Sequence, residues 1–328
     1  MKFQWARNGR VFCPQGEHPW MNSHAQVPRL IERQAELEIL FATRSRPADD
    51  ATFVSRIGSV RVHRQDPTRI IYVSPDPVLD VGGPGQFDEF GVMPGCVVSH
   101  GGRERLYYTG WSRPDDAPYQ TFIGLAERDK DGRFLRRTKR PVLGLTPAEP
   151  ILCNGPFIIE SAGLMHMFYA SALRWIGHGD RQECEYRIAH ATSTDGINWE
   201  RNGRFIVPTR LQNECQNAPT VAEFNGRFHM WFCYREALNF RNKTRGYRLA
   251  CAWSEDLTTW HRDSSSTCLI GQAEEWEQEM QCYPGVYQVD NKWWMFYCGN
   301  YFGRSGFGCA DLQDQIGETP GGQDKNNE

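Results

Sequence analysis

The chain has 328 residues, 12% of them aromatic, with 31 Gly, 19 Pro, 11 Trp and 11 Cys, and a formal net charge of −3. That slightly acidic balance argues against nucleic acid or an anionic membrane surface as a partner, and no stretch reaches the roughly 20 apolar residues of a membrane span. The first twenty residues, MKFQWARNGRVFCPQGEHPW, lack an apolar core of signal-peptide length, so a cytoplasmic location is expected, and eleven Cys without CxxC or zinc-finger spacing point to reduced thiols.

Five prolines, Pro28, Pro94, Pro156, Pro219 and Pro284, recur 66, 62, 63 and 65 residues apart. Each opens an apolar run, a polar or glycine-bearing turn, and an aromatic-rich run. A period held over nearly the whole chain marks a repeat architecture. The first repeat predicts strands at 53–62 and 69–73. The second carries TFIGLAER from Thr121, a turn at Lys130-Asp131-Gly132 and a strand from Phe134. In the third, YRIAHA from Tyr186 and STDGINW from Ser193 match YRLACA from Tyr247 and SEDLTTW from Ser254 in the fourth. The fourth repeat is the least interrupted. PTVAEF from Pro219 is a strand, Asn225-Gly226 a hairpin turn, RFHMWFCYR from Arg227 a second strand, YRLACAW a third, and 259–270 a fourth. The fifth stops after Leu312, and its missing strand is found at the other end of the chain: WARNGRVFCP (5–14) is nearly a copy of WERNGRFIVP (199–208).

Four antiparallel strands per repeat predict an all-β fold, a five-bladed β-propeller whose ring is closed by the N-terminal strand completing the last blade. Residues 1–312 then form one domain, with residues 3–14 in the last blade, and the polar segment 313–328 is expected to be a disordered tail.

The innermost strand of each blade begins near a proline, so the loop before it delivers residues to one mouth of the central funnel. Four of these loops hold carboxylates: Asp88 (beside Glu89), Glu149, Glu214 and Glu279; the first has His24 instead. Carboxylates crowded round one axis raise each other's proton affinity, which makes an acid and a base from similar groups. Asp88, Glu149, Glu214 and Glu279 are therefore the candidate catalytic residues, and capping a loop or pairing with Arg29, Arg210 or Arg235 is the structural alternative for each. Trp20, His24, Trp111, Arg235, Asn300 and Arg304 are the candidate substrate-binding residues, because a sugar offers an apolar ring face and several hydroxyls. No cofactor is indicated with certainty; a divalent metal in the funnel beside His24, or at converging Cys153, Cys215 and Cys282, is an alternative to ordinary loop and core roles. Gly82-Gly83-Pro84-Gly85 lacks the Lys-Ser/Thr of a phosphate loop.

The repeats, the N-terminal strand and the DGINW-type segments resemble the five-bladed propeller glycoside hydrolases of families 43, 32 and 130. SHAQVP (23–28), FDEFGVMP (87–94), YRIAHATSTDGINWERNG (186–203), EMQCYP (279–284) and GNYFGRSGFG (299–308) resemble more closely a glycosyl hydrolase-like group encoded among surface-polysaccharide biosynthesis genes. The resemblance implies a carbohydrate-active enzyme, a hydrolase of the EC 3.2.1 class, with carbohydrate as its partner. At the positions where family 43 places its catalytic acids this chain has Val27, Met93 and Asn154, and Ser23 stands where family 32 has its nucleophile. A glycosidase reading therefore needs a different set of acids, with Asp88 as base and Glu214 or Glu279 as acid. A sugar-binding propeller without catalysis, or an enzyme of another class on the same scaffold, is the rival.

Overall fold

The computed structural model describes residues 2–45, 53–177, 182–241, 244–263 and 268–316. Apart from a four-residue turn at Asn300–Gly303, its regular elements are all strands. In the first antiparallel unit β2 (Gln26–Glu32), β3 (Glu36–Ala42), β4 (Ile57–His63) and β5 (Ile70–Val73) lie side by side in chain order. The second contains β6 (Gly91–His100), β7 (Arg103–Ser112), β8 (Gln120–Arg128) and β9 (Phe134–Arg136), and the third β10 (Leu152–Ser161), β11 (Leu164–Ile176), β12 (Glu183–Ser193) and β13 (Glu200–Phe205). A single parallel contact, Leu152 to Thr121, merges these two into one continuous sheet. The fourth contains β14 (Glu214–Phe224), β15 (Arg227–Glu236), β16 (Arg248–Ser254) and β17 (His261–Arg262). In the last sheet β19 (Cys282–Val289), β20 (Lys292–Cys298) and β21 (Phe307–Ile316) are joined by β1 (Lys2–Phe12), antiparallel to β21.

Two expectations change here. The 259–270 segment is not one strand: β17 ends at Arg262, and β18 (Cys268–Ile270) pairs in parallel with β1, tying the fourth unit to the last. The final strand runs past Leu312 to Ile316, because Lys2 to Trp5 supply it with a partner; the remainder of the expected tail, 317–328, lies outside the described residues.

The first strand of each unit packs against that of the next: β2 on β6, β6 on β10, β10 on β14, β14 on β19, and β19 on β2. Every one of these strands breaks register at its proline, between Gln26 and Arg29, Pro94 and Cys96, Asn154 and Phe157, Asn217 and Thr220, and Cys282 and Gly285. Proline has no N–H for the ladder, and a bulge is where a paired strand can house it. The residues before four of the prolines, Val27, Gly155, Ala218 and Tyr283, have φ of 53°, 60°, 51° and 54°. For a β-branched Val this left-handed conformation costs about 1 to 3 kcal/mol, a strain that packing must hold in place.

Between units the core is aromatic. Phe3 and Trp5 of β1 meet Trp231 of β15 edge to face, with centroids 5.1 and 6.1 Å apart, so the N-terminal strand is anchored on the fourth unit as well as the last. The repeated S-x-D motifs also gain an explanation. Asp195 accepts N–H bonds from Ile197 and Asn198, and Asp256 does the same for Thr258 and Thr259. These bonds hold both carboxyls below the usual carboxylate range. The DGINW-type segment is thus a loop device.

Candidate functional site

Three of the four expected catalytic acids lie inside their units. Asp88 is fully buried, accepts a hydrogen bond from the Tyr108 hydroxyl at 2.8 Å and pairs with Arg136 at 2.7 Å. Glu149 is bonded by Tyr169 at 2.6 Å and paired with Arg201 at 2.6 Å. Glu214 pairs with Arg262 at 2.5 Å, accepts from Gln216 and from the backbone N–H of Arg210 and Leu211, and Arg262 lies over the Tyr234 ring. The last unit repeats the pattern with Glu277, bonded by Tyr297 at 2.9 Å and paired with Arg7 at 3.0 Å.

The geometry is one motif used four times: an acid just before the inner strand or, for Glu214, at its first residue, a tyrosine 20 residues later on the second strand, and an arginine on a strand toward the outer edge; in the fourth unit the tyrosine lies beneath the arginine. Gly124 leaves room for it, since a Cβ there would stand 2.4 Å from the Tyr108 ring. Burial and the adjacent carboxylate push the hydroxyls of Tyr108, Tyr169 and Tyr297 well above the ordinary phenol range, so they stay protonated as donors. In the first unit the corresponding positions are Met21 and Phe41, both buried in the core. The partners are Arg136, Arg201, Arg262 and Arg7, rather than the Arg29, Arg210 or Arg235 weighed from sequence; Arg210 offers Glu214 only its backbone.

The cavity lies elsewhere, where the inner strands meet. It has a volume of about 300 Å³ and is lined by the residues that flank the prolines: Val27, Met93, Asn154, Gly155, Asn217, Ala218 and Tyr283. Second and third strands and their loops add Arg44, Trp111, Tyr119, Glu183, Tyr186, Arg235, Phe240, Arg241, Tyr247 and Phe302. Asp88, Glu149, Glu214 and Glu277 are not in this lining; Glu183 is its only carboxylate among the described residues.

The described lining therefore carries more positive than negative charge. Arg241 pairs with Glu183, while Arg44 and Arg235 have no carboxylate partner among the described residues. Arg44 donates to Gln26 Oε1 at 2.9 Å. Arg235 donates to the Tyr186 hydroxyl at 2.8 Å and to the carbonyls of Glu236 and Ala237, and lies 3.4 Å from the Phe240 ring centre. Burial and the neighbouring Arg241 both lower the proton affinity of Arg44. Three buried polar atoms of the lining residues have no hydrogen-bond partner among the described residues: Asn154 Oδ1, Trp111 Nε1 and Arg235 Nε.

Of the expected binding residues, Trp111 and Arg235 line this cavity and four do not. Trp20 donates its indole N–H to the Pro75 carbonyl, and Asn300 holds the 275–280 loop through bonds with Glu275, Glu279 and Met280. Arg304 is exposed. His24 is buried, bonded to Ser23 and packed edge-on to Phe53; burial, with Arg44 and Arg304 nearby, lowers its pKa to about 3, so it is neutral at pH 7. Glu279 lies in a separate hollow of about 140 Å³ with Met280 and Tyr301, and this hollow shares Arg241 and Phe302 with the main cavity.

Among the described residues no group of three or more His, Cys, Asp or Glu is placed to hold a metal. The three cysteines do not converge: Cys153 faces Arg201, Cys215 bonds the Cys184 carbonyl, and Cys282 pairs across strands with Cys298.

Sequence reasoning missed Arg44, Tyr119, Glu183, Tyr186, Phe240, Arg241, Tyr247 and Tyr283. One signal was available, since Tyr186 and Tyr247 open the matched YRIAHA and YRLACA segments and their hydroxyls meet at the cavity wall. Another was the constant 20-residue step from acid to tyrosine, which selects Glu277 over Glu279.

No protein-family model matches the chain. The uncharacterized protein Rv1502 of Mycobacterium tuberculosis (strain ATCC 25618 / H37Rv) is 34% identical over 313 residues, which cover 94% of this chain and 99% of that one. The 1,2-beta-oligomannan phosphorylase of Thermoanaerobacter sp. (strain X514) is 29% identical over 193 residues, 58% of each chain. Among solved structures, BT0996 in an RGII complex superposes with a TM-score of 0.71 at 15% identity, covering 95% of this chain and 92% of that one. A structure reported for glycoside hydrolases of the GH130 mannoside phosphorylase family that target beta-1,2 mannosidic linkages in Candida mannan gives 0.67 at 15% identity, covering 94% and 93%. The fold is thus the propeller-type all-β fold of glycoside hydrolases, and the chain belongs to the family of the Mycobacterium tuberculosis protein Rv1502.

Proposed function

We propose that this protein is a carbohydrate-active enzyme whose central cavity receives a sugar that carries, or is accompanied by, an oxyanion. The observation that carries this reading is the composition of the cavity's described lining: three guanidinium groups against one carboxylate, set among Trp111, Tyr119, Phe240 and Tyr283. Aromatic faces suit a sugar ring, and guanidinium is the side chain best matched to phosphate or carboxylate. The partial likeness to an oligomannan phosphorylase supports glycosidic-bond chemistry with an oxyanion in the site.

Hydrolysis by two opposed carboxylates would need a pair facing one space. In our reading Asp88, Glu149, Glu214 and Glu277 instead hold their units together, and Glu183 is the carboxylate able to exchange a proton with the glycosidic oxygen. The five units are the blades of one propeller. The contact of β19 with β2 and the place of β1 beside β21 support a ring closed by the N-terminal strand. A second reading, binding without catalysis, is favoured by the arginine ion pairs that occupy the blade acids.

An assay of aryl glycosides and β-mannosides with and without inorganic phosphate separates the two. Turnover that falls by about two orders of magnitude or more in Glu183→Gln supports the enzyme, on the scale expected of a general acid. Saturable sugar binding with no turnover supports the binding protein. Full activity in Glu183→Gln together with its loss in a stably folded Asp88→Asn protein would overturn the assignment of roles.

A further inference from the structure

Beside the central cavity is a second one of about 390 Å³, and the two share Arg44, Met93, Trp111 and Tyr119. The additional walls of the second are Phe53, Phe90, Ser55, Arg113 and Pro118, with no carboxylate among the described lining residues. The described walls are planar and cationic. Arg113 lies over the Phe90 ring at 4.5 Å and Arg44 over the Phe53 ring at 5.8 Å, and Trp111 tilts against Tyr119 with centroids 5.1 Å apart. Among the described lining residues Met93 and Pro118 are the aliphatic ones. A polyprenyl chain would want a long aliphatic groove, whereas rings and guanidinium planes are the surfaces on which a nucleobase stacks.

We propose that the two cavities form one site for a nucleoside diphosphate sugar, with the sugar in the central cavity, the diphosphate at Arg44 and the base among Phe53, Phe90, Trp111 and Tyr119. This rests on the reading of the central cavity as a sugar site. Arg44 stands at the junction, partly buried, with a neutral glutamine and no carboxylate as its side-chain partner among the described residues, so a diphosphate would supply the missing counter-charge. Trp111 belongs to both walls, and its buried indole N–H has no acceptor among the described residues.

The test is calorimetric titration of the full chain with UDP, GDP, ADP, uridine, inorganic pyrophosphate, UDP-glucose and GDP-mannose, followed by saturation-transfer NMR. At least one nucleoside diphosphate is expected to bind about tenfold or more tightly than both its nucleoside and pyrophosphate, and its sugar conjugate to bind more tightly still, with transfer to base and sugar protons. Arg44→Gln should weaken the diphosphate about tenfold or more, as loss of a charged contact requires. Phe90→Ala, at a partly exposed ring where folding is less at stake, should weaken the nucleotide but leave pyrophosphate unchanged. Pyrophosphate binding as tightly as the nucleotides would overturn the proposal, as would a sugar end that adds no affinity. If acidic sugars or sugar phosphates bind and no nucleotide does, the proposal falls while the sugar reading stands; if none of these ligands binds the folded protein, both fall.

Discussion

Replacing Glu149 by glutamine separates a blade clamp from a catalytic acid. The side chain is 1% exposed, accepts a hydrogen bond from Tyr169 at 2.6 Å and faces Arg201 at 2.6 Å. Glutamine keeps the shape and removes the charge, leaving Arg201 with the Gly144 carbonyl as its remaining strong acceptor. Breaking one side of a buried ion pair costs about 3 to 5 kcal/mol. The unfolding entropy of a chain this long is roughly 0.7 kcal/mol/K near the midpoint, so Tm should fall by about 4 to 7 °C. Tyr169→Phe removes one hydrogen bond to a charged group, about 1.5 to 3 kcal/mol, and should lower Tm by about 2 to 4 °C. Because the two residues share one site, the double variant should lose less than the sum. Differential scanning calorimetry beside the glycoside turnover assay reads both quantities. A Glu149→Gln protein with unchanged Tm and abolished turnover would refute the clamp and restore the acid to catalysis.

Other outcomes follow from the same structure. Gly155→Ala places a Cβ 2.8 Å from Asn217 Oδ1 at a φ of +60°, and should destabilise by about 1 to 2 kcal/mol while weakening ligand binding in the cavity, measured by urea titration and calorimetry. Trp5→Ala empties a fully buried site between β1 and the fourth unit and should cost about 3 to 5 kcal/mol in the same urea titration. Burial lowers the pKa of His24 to about 3, and of His190 and His229 to about 4, from an ordinary 6.5. The unfolded chain therefore binds more protons between those values, so the stability from the neutral rings is complete above pH 6.5 and is lost as pH falls toward 4 and then 3. A Tm profile over that range should fall less steeply in His190→Gln than in wild type, and identical slopes would contradict the assignment.

Much of the fold was legible because turns and prolines are local chemistry. Asn225-Gly226 has the two positive φ values, 51° and 74°, that a tight hairpin turn demands, and the five prolines mark bulges whose position the backbone dictates. The candidate site was legible only by location. Val27, Met93 and Asn154, noticed because acids were absent there, do line the cavity, and with them Trp111 and Arg235. The roles of the acids were not legible, since a loop carboxylate reads the same whether it faces a funnel or an arginine on the outer strand of its own unit. Arg136, Arg201 and Arg262 are 48 to 52 residues from their acids in sequence, and Arg7 is at the other end of the chain from Glu277. Only strand pairing brings them together. His24, Trp20 and Asn300 were drawn in by loop position, and each has a side-chain polar atom engaged within the fold.

The measurement that tests the central claim most directly is a crystal structure of the protein soaked with a phosphorylated or acidic sugar. The account predicts the sugar in the cavity between the inner strands, with its ring against Trp111 or Tyr283 and its anionic group within hydrogen-bond reach of Arg44, Arg235 or Arg241. A sugar seated instead against Asp88, Glu149 or Glu214, with their arginine pairs opened, would contradict it.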